Sequence, residues 1–274
     1  KPTVITAAYV LGAAAATAAA AQQPVPQPGQ YIYVRSVGTF LGMNMLPHGS
    51  QSWLYTTGRQ IWLSASGRKT GLLRTDLLGQ EKLPWGPVPP PAGGDAVSWF
   101  PLPPGPCLGS TPPRGSYEFL TTLPTSPAAL RAWIYANRDG QQPSNEQAWT
   151  DIGDLLREML VPPELAAALF RVAATIPGVH VVQHATDAAG RSGIAVARYD
   201  PSSRSDAELI FSPHTYRLLG ERAVLVAPVK GQGPPGTVIA STAQLKIEVV
   251  SRLPRPVSGA QGTPPHTTCS RGGW

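Results

Sequence analysis

The spacing of apolar and polar positions changes period twice along the chain. Thr3–Ala21 carries no charged residue, and Val4, Ala8, Leu11, Ala15 and Ala18 fall on one helical stripe. The prolines between Gln22 and Gly29 end that helix. From Gln30 to Gly38 the period is two, with Tyr31, Tyr33 and Arg35 on one face of a strand and Ile32, Val34 and Ser36 on the other. Ser52–Thr57, Arg59–Ser64 and Lys69–Asp76 continue as strands, with Ser66-Gly67 as a turn, and Tyr117–Thr122 reads as a short one.

Helical spacing then returns. Ser126 is a natural N-cap before Pro127, and the helix it opens should run to about Arg138. Ser144 opens a second helix, with Ala148, Ile152, Leu155, Leu156 and Met159 on its apolar stripe. A third starts at Pro162-Pro163, carries Leu165, Leu169, Val172 and Ile176, and ends at Pro177-Gly178. Beyond it lie five strand-like segments, Val179–Thr186, Gly193–Tyr199, Ala207–Ser212, Thr215–Ala227 and Val238–Leu253, separated by turn residues such as Asp187-Ala-Ala-Gly190 and Asp200-Pro201. In the last, Leu245, Ile247 and Val249 alternate with Lys246 and Glu248, as on a strand with one dry face. The order helix, strands, helices, strands predicts one antiparallel sheet with the helices on one side, an α+β fold. No βαβ alternation points to a Rossmann or TIM fold.

Composition refines this picture. The chain has 274 residues, 42% hydrophobic but only 14% charged, with 31 prolines and 28 glycines. That combination predicts a packed core with long irregular loops, the longest being the Pro/Gly segment 79–115, with a polar tail over 254–274. The net charge of +6 is scattered, at Arg35, Arg59, Arg68 and Arg74 among others, so no nucleic-acid partner is expected. Cys107 and Cys269 both lie in Pro/Gly/Ser-rich stretches with no C-x-x-C spacing. Two loop cysteines favour a single disulfide and an oxidising compartment over buried free thiols. The Ala-rich N-terminal stretch is too weakly apolar for a membrane span, so any anchor is expected upstream of Lys1.

Catalytic signatures are missing from the sequence. There is no G-x-S-x-G elbow, and Ser66-Gly67-Arg68-Lys69-Thr70 fails the P-loop pattern. His180 and His184 sit on a predicted strand, where four residues span about 13 Å, too far to share a metal. Asp151, Asp154 and Glu158 read as a solvated helix edge. No cofactor, metal or enzymatic activity is expected. The aromatics Tyr31, Tyr33, Trp53, Tyr55 and Trp62 concentrate in the first strands. They serve either as core packing or as a wall that accepts an apolar ligand.

Several stretches resemble a family of actinobacterial extracytoplasmic proteins, usually membrane-anchored and associated with extracytoplasmic-function sigma factors. They are the Ala-rich helix followed by Gln30-Tyr-Ile-Tyr-Val-Arg-Ser36, then Arg59-Gln-Ile-Trp-Leu-Ser64 and Leu123-Pro-Thr-Ser-Pro-Ala-Ala-Leu130. Ile152-Gly-Asp-Leu-Leu156 with Pro162-Pro163, Ile176-Pro-Gly-Val179 and Asp187-Ala-Ala-Gly-Arg191 extend the likeness to about residue 250. That family is similar to the half-barrel superfamily of lipoprotein carriers of the LolA, LppX and RseB type. The resemblance implies a curved antiparallel sheet wrapping several helices as a single domain over 1–253, with the helical block at 126–176. It further implies an extracytoplasmic, non-enzymatic domain that binds a lipid or other apolar ligand as carrier or sensor. The alternative is a protein-interaction domain of an envelope or sigma/anti-sigma system. If Cys107 and Cys269 are bridged, Cys107→Ser lowers the melting temperature under oxidising conditions but not under reducing ones; an unchanged melting temperature in both would count against the bridge.

Overall fold

The computed structural model describes residues 5–47, 49–83, 97–105, 112–138 and 140–255. It is α+β, with nine antiparallel strands in one open sheet. The N-terminal helix α1 (Ala7–Ala19) is capped by Thr6, whose Oγ1 accepts from Tyr9 N at 3.2 Å. Strands β1 (Tyr31–Leu46), β2 (Gly49–Ser64), β3 (Gly71–Lys82) and β4 (Val97–Leu102) follow. Helices α2 (Tyr117–Leu120), α3 (Pro127–Ala136), α4 (Ser144–Leu156) and α5 (Pro163–Ala173) come next, and β5 (Val179–Thr186), β6 (Ser192–Asp200), β7 (Ser205–Phe211), β8 (Leu218–Leu225) and β9 (Val238–Val250) complete the sheet. The strand order is β4-β3-β2-β1-β9-β8-β7-β6-β5. Hairpins build each half, and the pairing of β1 with β9 joins them. Among the described residues no helix is long and apolar enough to cross a membrane.

All the large helices lie on one face of this sheet. The main core joins Leu11 and Ala15 of α1, Leu130 and Ile134 of α3, Ile152 of α4 and Leu165 and Leu169 of α5 to Val196 and Phe211 of the sheet. The stripe of α1 runs Ala7, Val10, Leu11, Ala14, Ala15, so Ala8 of the expected stripe is exposed. A smaller core lies on the same face of the other half, where Ile32, Val34 and Ile61 meet Tyr117 and Leu160.

Several expectations need correction. Ser52–Thr57 and Arg59–Ser64 are one strand that runs straight through Gly58. Tyr117–Thr122 is not a strand. Ser116 Oγ accepts from Phe119 N at 3.1 Å and caps α2, a single turn too short to show a period. The segment 79–115 holds the end of β3 and all of β4. In β9 the alternation breaks at a bulge: Arg35 pairs with Lys246 but Ser36 with Gln244, so Leu245 has no opposite number and is exposed. Ile247 and Val249 still pack inward. The Cys107–Cys269 pairing lies outside the described residues.

One turn ties the C-terminal half together. The Asp187 side chain is fully buried and accepts from Ala189 N, Arg191 N and Arg191 Nε at 3.0, 2.9 and 2.6 Å. Arg191 Nη2 in turn donates to Leu219 O on β8 and Gln244 O on β9, at 2.9 and 3.0 Å. β8 and β9 pair only from Arg222 to Val224, so the guanidinium satisfies carbonyls where the ladder has parted. Asp187→Ala removes the buried acceptor of Ala189 N, Arg191 N and Arg191 Nε, while the partly exposed Arg191 side chain keeps its two carbonyl partners. It should therefore destabilise the fold by about 1–3 kcal/mol in urea unfolding; a loss near zero would show that the clasp is dispensable.

Candidate functional site

The registers decide which face each aromatic ring occupies. Tyr33 lies opposite Trp62 with ring centroids 5.0 Å apart, and Trp62 stacks on Trp99 at 6.0 Å. Tyr31 joins this cluster with Leu72, Val250 and Leu253. Ile32 and Val34, which meet the helical block, alternate with these tyrosines, so the cluster occupies the sheet face turned away from the helices. Tyr55 lies opposite Phe40, 5.8 Å away, and Trp53 lies over Gly42; both are on the helix-facing side. The five residues therefore do not form one wall. Treating β2 as two strands hid this, because Tyr55 and Trp62, seven positions apart on one strand, must point opposite ways.

On the helix-facing side a cavity of about 470 Å³ opens between α4 and the middle of β1, β9, β8 and β7. Most of its surface is apolar: Phe40, Trp149, Leu209, Ala223 and Ala240 contribute to the lining. Trp149 is held by a hydrogen bond from Nε1 to Ala207 O at 3.0 Å. The Phe40 ring folds over Gly38, where a Cβ would come within 2.6 Å of it. None of Tyr31, Tyr33, Trp53, Tyr55 and Trp62 lines this cavity.

One end of the cavity is charged. Arg59 Nε and Nη2 donate to the two oxygens of Glu158 at 2.9 and 3.0 Å, and Ser36 Oγ donates to Glu158 Oε1 at 2.5 Å. Glu158 follows the end of α4 with φ of 52°, a left-handed conformation that costs a non-glycine residue roughly 1–2 kcal/mol. The turn returns its side chain to the sheet, where these three charge-assisted bonds offset the strain. Burial raises the Glu158 carboxyl's pKa, but the bonds from Arg59 and Ser36 outweigh it and hold the group below its ordinary range. Glu158 is therefore an ion-pair partner on the cavity wall, not part of a solvated edge with Asp151 and Asp154.

Glu221 on β8 takes the opposite shift. Arg157 Nε and Nη2 both donate to Glu221 Oε2, at 2.8 and 2.5 Å, and Arg157 Nη1 donates to Asp154 Oδ1 at 2.7 Å. Glu221 Oε1 is buried and has no hydrogen-bond partner. Burial outweighs Arg157, so the Glu221 carboxyl sits above its ordinary range. Across the sheet, Glu208 pairs with Arg222 at 2.8 Å. Burial raises the Glu208 carboxyl too, against the pull of Arg222.

The remaining candidates lie elsewhere. His180 Nε2 is 3.2 Å from Asp206 Oδ2 on the sheet, and His184 is exposed on the same strand. Among the described residues no three His, Cys, Asp or Glu side chains converge as metal ligands would. His48 and His266 lie outside the described residues. The charged end of the cavity was missed because its members come from β2, β8 and the segment after α4. Two signals for it were present in the sequence: Arg59 interrupts the apolar face set by Ile61 and Leu63, and the adjacent Glu221-Arg222 puts a charge on each face of a strand.

In comparisons with known proteins, the chain matches no protein-family model and no curated protein.

A depressed carboxyl pKa contributes stability at neutral pH, and that contribution is lost as pH falls through the folded-state value. Glu158→Gln should therefore cost on the order of 1–3 kcal/mol at pH 7. The gap from the parent protein should close on acidification below the ordinary carboxylate range. A gap that stays constant with pH would exclude this role for the ion pair.

Proposed function

We propose that this chain is a non-enzymatic binding domain, a carrier or sensor, that holds a small amphiphile in the cavity between α4 and the sheet. The observation that supports this most directly is the cavity itself. Its volume falls in the range of small-molecule sites, roughly 300–1,000 Å³, and its walls follow the usual pattern of apolar lining with a few placed polar groups. A purely apolar ligand would leave the Arg59–Glu158 and Arg157–Glu221 end unused, whereas an amphiphile matches both ends. The carboxylates of Glu158 and Glu221 at the charged end of the cavity are engaged by arginines, an arrangement that suits binding better than proton transfer.

The nine-stranded open sheet with its helices on one face is compatible with the half-barrel architecture of LolA-type carriers, and the sequence resemblance favours that finer reading. The same resemblance and the two loop cysteines support an extracytoplasmic location.

Native mass spectrometry of the gently purified protein should show a co-purified amphiphile, or uptake of one from an offered mixture. Ala223 lines the cavity on the helix-facing side, and Ala223→Trp would fill it. This variant should weaken uptake at least about tenfold, or about 1.4 kcal/mol, while keeping its unfolding transition. Unchanged uptake by a folded Ala223→Trp would place the ligand elsewhere.

A further inference from the structure

The hairpin of β1 and β2 runs past the rest of the sheet. The ladder of β1 with β9 ends at Phe40 and Ala240, and that of β2 with β3 ends at Trp53 and Lys82. Beyond those pairs, residues 43–46 and 49–52 have only each other as strand partners among the described residues. Hairpin ends in water usually carry charge that guards their open edges. This one carries none: from 36 to 58 the sequence contains no Asp, Glu, Lys or Arg, although such residues make up 14% of the chain. Instead it presents Met43, Met45 and Leu46, which are 39%, 80% and 52% exposed. By alternation Met43 and Met45 leave one face of the hairpin and Leu46 the other, so both faces of its end are apolar.

A docked protein covers one face of such a hairpin, whereas a lipid layer surrounds a tip pushed into it. Charge beside the tip fits anionic lipid. Lys82 is exposed opposite Trp53, and Lys230 is exposed next to Gly231, whose carbonyl accepts from Ser52 Oγ. Glu81 offsets one of these lysines, and the whole chain carries +6. We propose that the β1–β2 tip docks the protein on an anionic bilayer by inserting Met43, Met45 and Leu46. The insertion is shallow, because β1 beyond Phe40 has an edge without a strand partner that must keep its N–H and C=O groups among headgroups and water. Trp53 and Tyr55, behind the tip, are residue types that favour this interface. The helix-facing side of the hairpin then leads from Leu46 past Trp53 to Phe40 on the cavity wall, six residues or about 20 Å. That route from bilayer to cavity rests on the amphiphile-binding reading above; the docking does not.

The test is co-flotation of the whole chain with vesicles of phosphatidylcholine, alone or mixed with phosphatidylglycerol. The parent should float with the mixed vesicles, and Met45→Ser/Leu46→Ser should float at least about tenfold less. Both side chains are exposed, so this variant should keep the parent's unfolding transition. Lys82→Gln/Lys230→Gln should lose severalfold on the mixed vesicles and nothing on phosphatidylcholine alone. Ala223→Trp, which fills the cavity, should float like the parent. Equal flotation of the parent and the tip variant, or flotation of neither, overturns the docking. So does a parent that does not float but forms a dimer lost in the tip variant, which would assign the tip to a second copy of the chain. Flotation that holds while the protein takes up no amphiphile would sink the amphiphile reading alone.

Discussion

The pairing of β1 with β9 is the constraint on which the rest of the molecule depends. Among the described residues it is the only ladder between the half built from β2, β3 and β4 and the half built from β5 to β8. It also decides which residues share a face. Below the bulge, Ile247 and Val249 face the helices beside Val34 and Ile32; above it, Gln244 and Ala240 do so, beside Ser36 and Phe40. Had the pairing run on in register, Leu245 and Ser241 would stand beside Ser36 and Phe40, and the residues of β9 from Val238 to Gln244 would change faces. The bulge thus keeps Gln244 and Ala240 on the helix-facing side, where they line a mostly apolar cavity with a charged end between the two cores.

The cavity lies where this seam meets α4. Each half of the sheet has its own core against the helices, and neither core reaches the middle row of Ser36, Arg59, Gln244 and Glu221. Polar side chains there are held by one another and by α4: Gln244 Nε2 donates to Leu156 O, and Arg157 reaches across to Glu221. The carboxyls of Glu158 and Glu221 shift in opposite directions because one has both oxygens bonded and the other has one oxygen left bare in a buried place.

Elements with a long period and a clear punctuation mark were legible in the sequence. Helix α3 starts after Ser126 as its cap chemistry indicates, and β5 runs from Val179 to Thr186 as its bounding turns indicate. What was not legible was short or non-local. The one-turn α2 shows no period, β4 is hidden in a proline-rich stretch, and the bulge at Leu245 becomes visible only once β1 is alongside. The aromatic residues were conspicuous but divided by face, since alternation is a property of the whole strand β2 and not of its two halves. The cavity's charged residues were individually odd, and no local rule joins Arg59 to Glu158 or Arg157 to Glu221.

The seam also has a temporal side. Tyr31, at the start of the first strand, takes Val250, at the end of the last, as its partner. Closing so long a loop is slow, because its entropy must be lost before any contact across the seam is gained. While a ribosome is still making the chain, β1 therefore waits with one edge bare until β9 emerges, and the hairpins on either side can form before it does. In that interval the nascent N-terminal half presents an open strand edge to its surroundings. Whatever escorts the chain before its last strand is made must protect that edge.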